Sequence, residues 1–314
     1  MPCYHPLEGY RARVVNQKTG KRGVVFNVQE GFRDLPVQVP CGRCIGCRLE
    51  KSRQWAVRMM HEASLHEFNC FITLTYDEKH LPRFASLDKR AFPKFIKRLR
   101  KAVWPLRFSY FHAGEYGGTF GRPHYHACIF GYDFPDKVVW TVRNGHTVWR
   151  SALLESCWKF GLSEVGSLTF ESAAYVARYV VAKKLGKEAE SAYDVVDVSS
   201  GEVVGRREPE YATMSRRPAI ASNWFKQYHQ DVYPSDQVIA RGSPSKPPRY
   251  YDKMLAGDLG PGMQGPSEAH VDSRVSRAIQ LARKIARNPA EETYERLEVR
   301  EKVAQARLTI YSEV

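Results

Sequence analysis

Two histidines, His124 and His126, lie two residues apart in a segment that is predicted to be a strand. Alternate residues of a strand point to the same face, so both imidazoles can bind one ion. Antiparallel pairing across a predicted hairpin brings the carboxylate of Glu115 alongside them. The donor set suits a divalent cation, Mg²⁺ or Mn²⁺, which would polarise a phosphodiester oxygen. The alternative is a pair of partly buried strand histidines without a ligand, and we interpret His112 on the preceding strand as structural.

Two tyrosines, Tyr175 and Tyr179, lie four residues apart in a predicted helix over residues 172–185. Residues at this spacing share one face of a helix, so either phenol can reach the same phosphate. Tyrosine is a suitable nucleophile where a covalent intermediate must be kept, because the phosphotyrosine link conserves the energy of the broken bond. Lys183 falls on the same face and could lower a phenol pKa or neutralise phosphate charge. The alternatives are aromatic core packing and a lysine that complements the helix dipole.

Three cysteines follow a C-x2-C-x2-C spacing and a fourth lies near the N-terminus: Cys41, Cys44, Cys47 and Cys3. Four thiolates suit a closed, structural Zn²⁺ site. The ferredoxin pattern instead requires Cys and Pro where Lys51 and Ser52 stand, which argues against an iron–sulfur cluster. Reduced thiols without a metal are the remaining alternative. The other three cysteines lie in apolar contexts and are predicted to be core residues: Cys70, Cys128 and Cys157.

The composition predicts a globular protein that binds a polyanion. The chain has 314 residues, 43% of them hydrophobic and 26% charged, and its formal net charge is +14. A protein this basic most often meets nucleic acid, although a generally basic solvated surface gives the same number. No apolar run approaches the roughly 18 residues of a membrane span, and the N-terminus has no signal-peptide core. We therefore expect no membrane partner and a location in a reducing cytoplasm.

Basic residues outside the proposed site predict DNA backbone contacts. The helix predicted over residues 87–103 has apolar residues at helical spacing, with Pro93 delaying its start or kinking it. Its other face is basic, and a second basic segment follows the cysteines. The residues predicted to contact DNA are Lys94, Lys97, Arg98, Lys101, Arg48 and Lys51. Such contacts weaken steeply with added salt.

The pattern of elements predicts an α+β protein in four parts. Residues 1–60 form a cysteine-rich, basic module. Residues 61–235 form the main domain, with strands over 71–76, 107–113 and 125–130 and a hairpin insertion near 193–206. Residues 236–266 are rich in Pro, Gly and Ser and predict a linker. Residues 267–314 predict a helical tail, in which residues 288–291 have the composition of a helix start.

The ordered set of these segments resembles a known family, the replication initiators of microviruses, in particular the gokushovirus type, within the HUH endonuclease superfamily. The matching segments are residues 41–47, 71–76, 114–117, 123–130 and 175–183. Tyr125 fills the central, bulky hydrophobic position of the HUH pattern. The run Ser215 to Ile220 also looks like a family segment, but relatives tend to have glycine where this chain has Ala219 and Ala221.

The resemblance implies an RRM-like core whose central antiparallel sheet is flanked by helices. It also implies rolling-circle replication, with nicking of single-stranded or supercoiled phage origin DNA. One tyrosine becomes joined to the 5′ phosphate and leaves a 3′ hydroxyl; the second later cuts the regenerated origin, and the displaced strand is ligated into a circle. No nucleotide cofactor is required. The implied partners are a host helicase and DNA polymerase, and the implied location is the host bacterial cytoplasm.

Three alternatives to this function are open at the level of sequence. A transposase or relaxase of the same superfamily has the same chemistry but a different DNA substrate. A zinc-containing protein that only binds nucleic acid requires neither tyrosine. A structural protein of the phage particle explains the net charge but gives no role to the ordered ligands and tyrosines.

Overall fold

The computed structural model describes residues 3–17, 20, 22–117, 121–182, 191–233, 235–255, 279, 283 and 289–312. These residues form an α+β protein, which confirms the predicted fold class. The chain divides into two compact units. The smaller unit combines residues 1–51 with residues 274–314, and the larger unit contains residues 52–273. None of the helices within the described ranges has both the length and the apolar character needed to cross a lipid bilayer.

The described strands, in chain order, are β1 (Leu7–Val15), β2 (Arg22–Val25), β3 (Gly31–Val39), β4 (Asn69–Thr75), β5 (Ser109–Tyr116), β6 (Pro123–Phe130), β7 (Val138–Arg143), β8 (His146–Arg150), β9 (Ser163–Gly166), β10 (Asp194–Val196), β11 (Val203–Arg206), β12 (Tyr211–Met214), β13 (Val238–Ala240) and β14 (Ser243–Ser245). The α-helices are α1 (Ile45–Ala63), α2 (Ala91–Ala102), α3 (Ala152–Cys157), α4 (Phe170–Ala182), α5 (Ser222–Val232), α6 (Arg249–Leu255) and α7 (Tyr294–Ser312). A 3₁₀ turn, Pro289–Glu292, precedes α7.

The larger unit is built on a seven-stranded antiparallel sheet with the order β12-β5-β6-β4-β9-β8-β7. The three predicted strands are β4, β5 and β6, and they lie side by side in its centre. All but one of the β6 residues are buried, because both faces of the sheet are covered there. The adjoining strands are therefore held in one register, and their alternate side chains are divided between two different cores.

One face of the sheet packs against α2, and we call it the α2 face. Its buried side chains are Ile72, Leu74, Tyr125, Ala127, Ile129 and Val165. They contact the apolar stripe of α2, which consists of Phe92, Phe95, Ile96 and Leu99. Pro93 lies in the first turn of α2, where its missing N–H costs nothing, and the helix begins at Ala91 rather than at residue 87.

The opposite face packs against helices α1, α4, α5 and α6, and we call it the α4 face. The sheet contributes Phe71, Phe111, Ala113, Cys128 and Phe130. From α4, three small or branched residues point inward: Ala173, Val176 and Ala177. The three cysteines predicted to be core residues are buried, so that prediction is confirmed.

The predicted linker is not observed over residues 238–255, which contain β13, β14 and α6. Tyr251 is fully buried on α6 and stacks on Phe225, with 4.7 Å between the ring centroids. The Pro, Gly and Ser residues of this segment lie in the short hairpin of β13 and β14 and in the turn before α6. The linker was predicted from composition alone. A segment with many turn-forming residues has the composition of a linker even when a few of its aromatic residues are buried in the core. Residues 256–266 lie outside the described part of the chain.

A hairpin was predicted around Ser200 and Gly201, and strands β10 and β11 confirm it. A second turn follows β12. Here Ala221 takes the left-handed conformation, with φ of 61°, and its N–H donates to Glu62 Oε2 at 2.6 Å. The turn is therefore made with alanine in a conformation that favours glycine. A buried carboxylate binds the backbone at the strained position.

His112 lies on the α2 face, is fully buried and stacks on Phe92 with 3.6 Å between ring centroids. Its Nδ1 lies 2.7 Å from Thr213 Oγ1. Burial lowers the pKa of His112 to about 3. This position excludes His112 from a site on the other side of the sheet, in agreement with its structural interpretation.

We expect His112 to make folding sensitive to mild acid. The pKa of histidine in an unfolded chain is about 6.5, so between that pH and about 3 only the unfolded state binds the proton. The free energy of unfolding therefore falls as the pH is lowered from about 6.5, by up to about 1.4 kcal/mol per unit from this residue. The measurement is urea denaturation of the wild type and His112→Phe from pH 7 to 4. The variant should lose less stability, and an exposed control, His146→Phe, should match the wild type. Equal slopes for all three proteins would contradict the assignment.

Candidate active site on the α4 face

The hairpin of β5 and β6 positions the predicted metal-binding residues. Its register pairs Glu115 directly with His124, and His126 lies on the same α4 face two residues further along β6. Glu115 and His126 are both almost fully buried, and Glu115 Oε1 accepts a hydrogen bond from His126 Nε2 at 2.7 Å. His124 is only partly buried, which leaves one side of the group open towards the end of the sheet.

The two imidazoles are oriented by neighbouring groups that the sequence did not identify. Thr73, the β4 partner of His126, places its Oγ1 3.1 Å from His126 Nδ1. Phe71 stacks against the same ring, with 5.7 Å between centroids. His124 Nδ1 donates to the carbonyl of Arg122 at 2.6 Å, so Nε2 carries the lone pair. Burial lowers the pKa of His124, which favours the neutral form that a metal ligand must have.

Helix α4 carries Tyr175 over these residues. Its first turn is capped reciprocally, because Thr169 N donates to Ser172 Oγ and Ser172 N donates to Thr169 Oγ1. The phenol of Tyr175 donates to Glu115 Oε1 at 3.2 Å. The Tyr175 ring stands nearly perpendicular to that of His126, with 5.1 Å between centroids. The structure thus brings the predicted nucleophile into contact with two of the three predicted ligands.

The structure describes the other two predicted catalytic residues only in part or not at all. Tyr179 belongs to α4, one turn after Tyr175, but its side chain lies outside the described residues. Lys183 follows the end of α4 and also lies outside the described part of the chain. Arg178, which was not predicted, is exposed on α4, and its guanidinium lies over the Tyr175 ring at 5.4 Å from the centroid.

The donor set of Glu115, His124 and His126 fits a divalent cation in its chemistry, because it offers two imidazole nitrogens and a carboxylate. The observation that supports this fit is the hydrogen bonding of His124, whose Nδ1 donates to a carbonyl, as is usual for a ligating histidine, and so leaves its Nε2 lone pair for a metal. His126 Nε2 donates to Glu115 and would lose that proton on binding a metal. The donor atoms of these three residues do not all lie within 4.8 Å of one another, unlike the sulfurs of the cysteine site described next.

The four predicted cysteines converge in the smaller unit. The Sγ atoms of Cys3, Cys41, Cys44 and Cys47 all lie within 4.8 Å of one another; no other set of three or more His, Cys, Asp or Glu residues in the described ranges is this compact. Backbone N–H groups point at the sulfurs, as when Cys44 N donates to Cys41 Sγ at 3.3 Å and Tyr4 N to Cys44 Sγ at 3.3 Å. Although burial acts in the opposite direction, the N–H groups of Cys44 and Arg43 lower the pKa of Cys41 to about 7. The cluster can bind a structural metal.

The C-terminal helix α7 contributes to the same unit. Leu297 is almost fully buried and packs with Tyr4 and Cys44. Glu301 accepts a hydrogen bond from Ile45 N at 3.3 Å and also pairs with His5. The helix start was predicted at residues 288–291; the described part of this segment belongs to the 3₁₀ turn Pro289–Glu292, and α7 begins at Tyr294, where Arg296 N donates to Thr293 Oγ1.

The basic residues predicted to contact DNA are not gathered at this site. Lys94, Lys97 and Lys101 are exposed on α2, on the other side of the sheet from Tyr175. Arg98 is half-buried and its Nε donates to the carbonyl of Cys157 at 2.7 Å, so it has a structural contact. Arg48 is half-buried and Lys51 exposed on α1.

Comparison with known proteins identifies the family. A family model described as replication-associated protein ORF2/G2P matches residues 69–184. The chain is 36% identical over 266 residues to replication-associated protein VP4 of Bdellovibrio phage phiMH2K, covering 80% of this chain and 76% of that protein. It is 31% identical over 274 residues to replication-associated protein ORF2 of Spiroplasma virus 4, covering 81% and 80%. No solved structure matches the chain significantly.

The matched segment contains the whole group around Glu115, His126 and Tyr175. The chain belongs to the family of microvirus replication-associated proteins, as its sequence motifs suggested.

Proposed function

We propose that the protein initiates rolling-circle replication by nicking single-stranded origin DNA, with Tyr175 as a nucleophile. The observation that carries the proposal is the contact of its phenol with Glu115, which in turn is hydrogen-bonded to His126. A phenol aimed at a buried carboxylate beside two histidines is arranged for proton transfer and attack on phosphorus. The names of the relatives support a role in replication.

In the proposed reaction Glu115 accepts the phenol proton from Tyr175 Oη. The phenolate oxygen forms a bond to phosphorus, and the bond from phosphorus to the 3′ oxygen breaks. The leaving 3′ oxygen takes a proton from water and becomes a free 3′ hydroxyl, while the 5′ phosphate stays joined to the tyrosine. His124, His126 and Glu115 would hold a Mg²⁺ or Mn²⁺ ion, whose chemistry is to stabilise negative charge on the phosphate. No nucleotide cofactor is consumed, because the phosphotyrosine link retains the bond energy.

Tyr179 and Lys183 complete the proposal. A second phenol one helical turn from the first would cut the regenerated origin while Tyr175 is still occupied, and the displaced strand would then be joined into a circle. Lys183 would neutralise phosphate charge near the second tyrosine. The free 3′ hydroxyl requires a polymerase and the duplex requires a helicase, so host enzymes of these two classes are the proposed partners, in the host cytoplasm.

The proposed roles of the other charged and metal-binding groups follow from their positions. The cysteine cluster would hold Zn²⁺ as a structural ion, because four sulfurs with N–H donors form a closed site. The α2 lysines lie across the sheet from Tyr175, so they would contact flanking DNA rather than the scissile phosphate. Arg48 and Lys51 on α1 would add further backbone contacts.

The test is a covalent adduct. Fragments that tile a microvirus origin are incubated with the protein and Mn²⁺ or Mg²⁺ and analysed on a denaturing gel, and the modified peptide is mapped. In the wild type we expect a DNA adduct on Tyr175 or Tyr179. Each single variant, Tyr175→Phe or Tyr179→Phe, should form an adduct only on its remaining tyrosine. The double variant should form none. Tyr228→Phe on α5 is the matched control and should behave as the wild type.

A wild-type protein without adduct on any fragment contradicts the proposal, as does a double variant that keeps the adduct. The same assay separates the alternatives. A protein that only binds nucleic acid gives no adduct, whereas a transposase or relaxase gives one but does not sustain repeated cutting of a circular origin when polymerase and helicase are supplied.

A further inference from the structure

The exposed arginine beside Tyr175 has no role in the reaction as described so far. Arg178 lies three residues after Tyr175 on α4, on the same side of the helix. Its guanidinium carbon is 5.4 Å from the centroid of the phenol ring. The side chain is exposed, whereas Glu115 and His126 beneath the phenol are buried. The cation therefore stands at the side of the nucleophile from which DNA must approach.

The charges around Tyr175 make a cation at this place useful. Glu115, a carboxylate, contacts the phenol oxygen directly, and a scissile phosphate brings another negative charge to the same oxygen. Attack by the phenolate concentrates charge on the non-bridging oxygens of the phosphate as the new bond forms. The guanidinium of arginine is charged at every working pH and offers two parallel N–H donors that match phosphate oxygens.

We propose that Arg178 is a catalytic residue that binds the non-bridging oxygens of the scissile phosphate and stabilises their charge during attack by Tyr175. This inference rests on the proposed function. It adds to the nucleophile a second catalytic residue, a cation on the same helix. Its contact with the phenol ring keeps the guanidinium beside the side chain of the nucleophile before DNA binds, so little reorganisation is needed.

Another arginine of the larger unit provides a matched control. Arg241 also lies over an aromatic ring at the start of α4, with its guanidinium carbon 5.8 Å from the Phe170 centroid, and it pairs with Glu171. It has the same chemistry and a similar exposed cation–π contact, but its ring is not a nucleophile. Loss of a general surface charge or of packing on α4 should therefore affect both arginines equally.

The experiment measures single-turnover adduct formation at saturating DNA, together with DNA affinity, for Arg178→Ala, Arg178→Lys and Arg241→Ala. We expect Arg178→Ala to lower the rate constant about 100-fold or more, while DNA affinity changes far less. Arg178→Lys should keep part of the rate, and guanidinium ions added to Arg178→Ala should restore some of it. Arg241→Ala should react like the wild type.

The possible failures are distinct. A wild type that forms adduct, with Arg178→Ala reacting as fast as Arg241→Ala, overturns the role of Arg178 and leaves the proposed nicking function standing. A loss confined to DNA affinity, with an unchanged rate constant, also overturns it, because it assigns Arg178 to binding alone. A wild type without adduct overturns the nicking function and this inference together.

Discussion

Glu115→Gln is expected to reduce the rate of adduct formation on the order of 1000-fold while leaving the fold intact. The glutamine side chain has nearly the same shape, and its amide oxygen can still accept the hydrogen bonds from His126 and Tyr175. It has no negative charge, so it neither accepts the phenol proton nor offers an anionic ligand to a divalent cation. The measurements are single-turnover adduct formation and Mn²⁺ binding followed by electron paramagnetic resonance.

Glu164→Gln is the matched control for this substitution. Glu164 lies on β9, opposite Thr73 in the same sheet, but pairs with the exposed Arg143 instead of a histidine. This variant should bind Mn²⁺ and form adduct at rates close to the wild type. A Glu115→Gln protein that reacts within a few-fold of the wild type would show that the carboxylate is neither base nor ligand.

Removing the proposed zinc ion from the cysteine cluster is expected to unfold the smaller unit, including a helix more than 240 residues away in sequence from Cys47. Zinc in a four-thiolate site contributes roughly 10 kcal/mol or more to folding of small modules. Leu297 of α7 packs directly on Cys44, so α7 should lose its support. We expect Cys44→Ala, or a chelator on the wild type, to bring amide exchange in residues 294–312 close to the rate of an unfolded peptide.

Cys157→Ala provides the comparison, because this buried cysteine belongs to the core of the larger unit. It should retain a single zinc ion per chain and a protected α7, although the larger unit loses some stability from the smaller side chain. Full protection of α7 in zinc-free protein would contradict a structural role for the metal.

Local sequence pattern was sufficient for the central elements of the fold. Apolar β-forming segments predicted β4, β5 and β6, and helical spacing predicted α2 and α4. The pairing of Glu115 with His124 followed from antiparallel geometry alone, since a hairpin that joins the two strands places their residues opposite one another. The cysteines were predictable for a similar reason, because a short spacing limits how three thiols can be arranged.

Long-range packing was not accessible in the same way. Periodicity shows that α2 has an apolar face, but not which side of the sheet that face covers, so its lysines were not known to lie across the sheet from Tyr175. Thr73 is an ordinary strand residue until β4 pairs with β6 and brings it to His126. Arg178 was not among the residues predicted from the sequence. Its significance depends on the partners of Tyr175, which are more than 45 residues distant in the chain.

The smaller unit joins two segments that are distant in the chain, since Tyr4 and Cys44 are covered by a side chain from α7. During synthesis the cysteines therefore emerge from the ribosome long before the helix that shields them. The larger unit, residues 52–273, can complete its sheet while residues 274–314 are still being translated. A chain that stops before residue 294 would retain Tyr175 and Glu115 but leave the apolar side of its cysteine cluster uncovered.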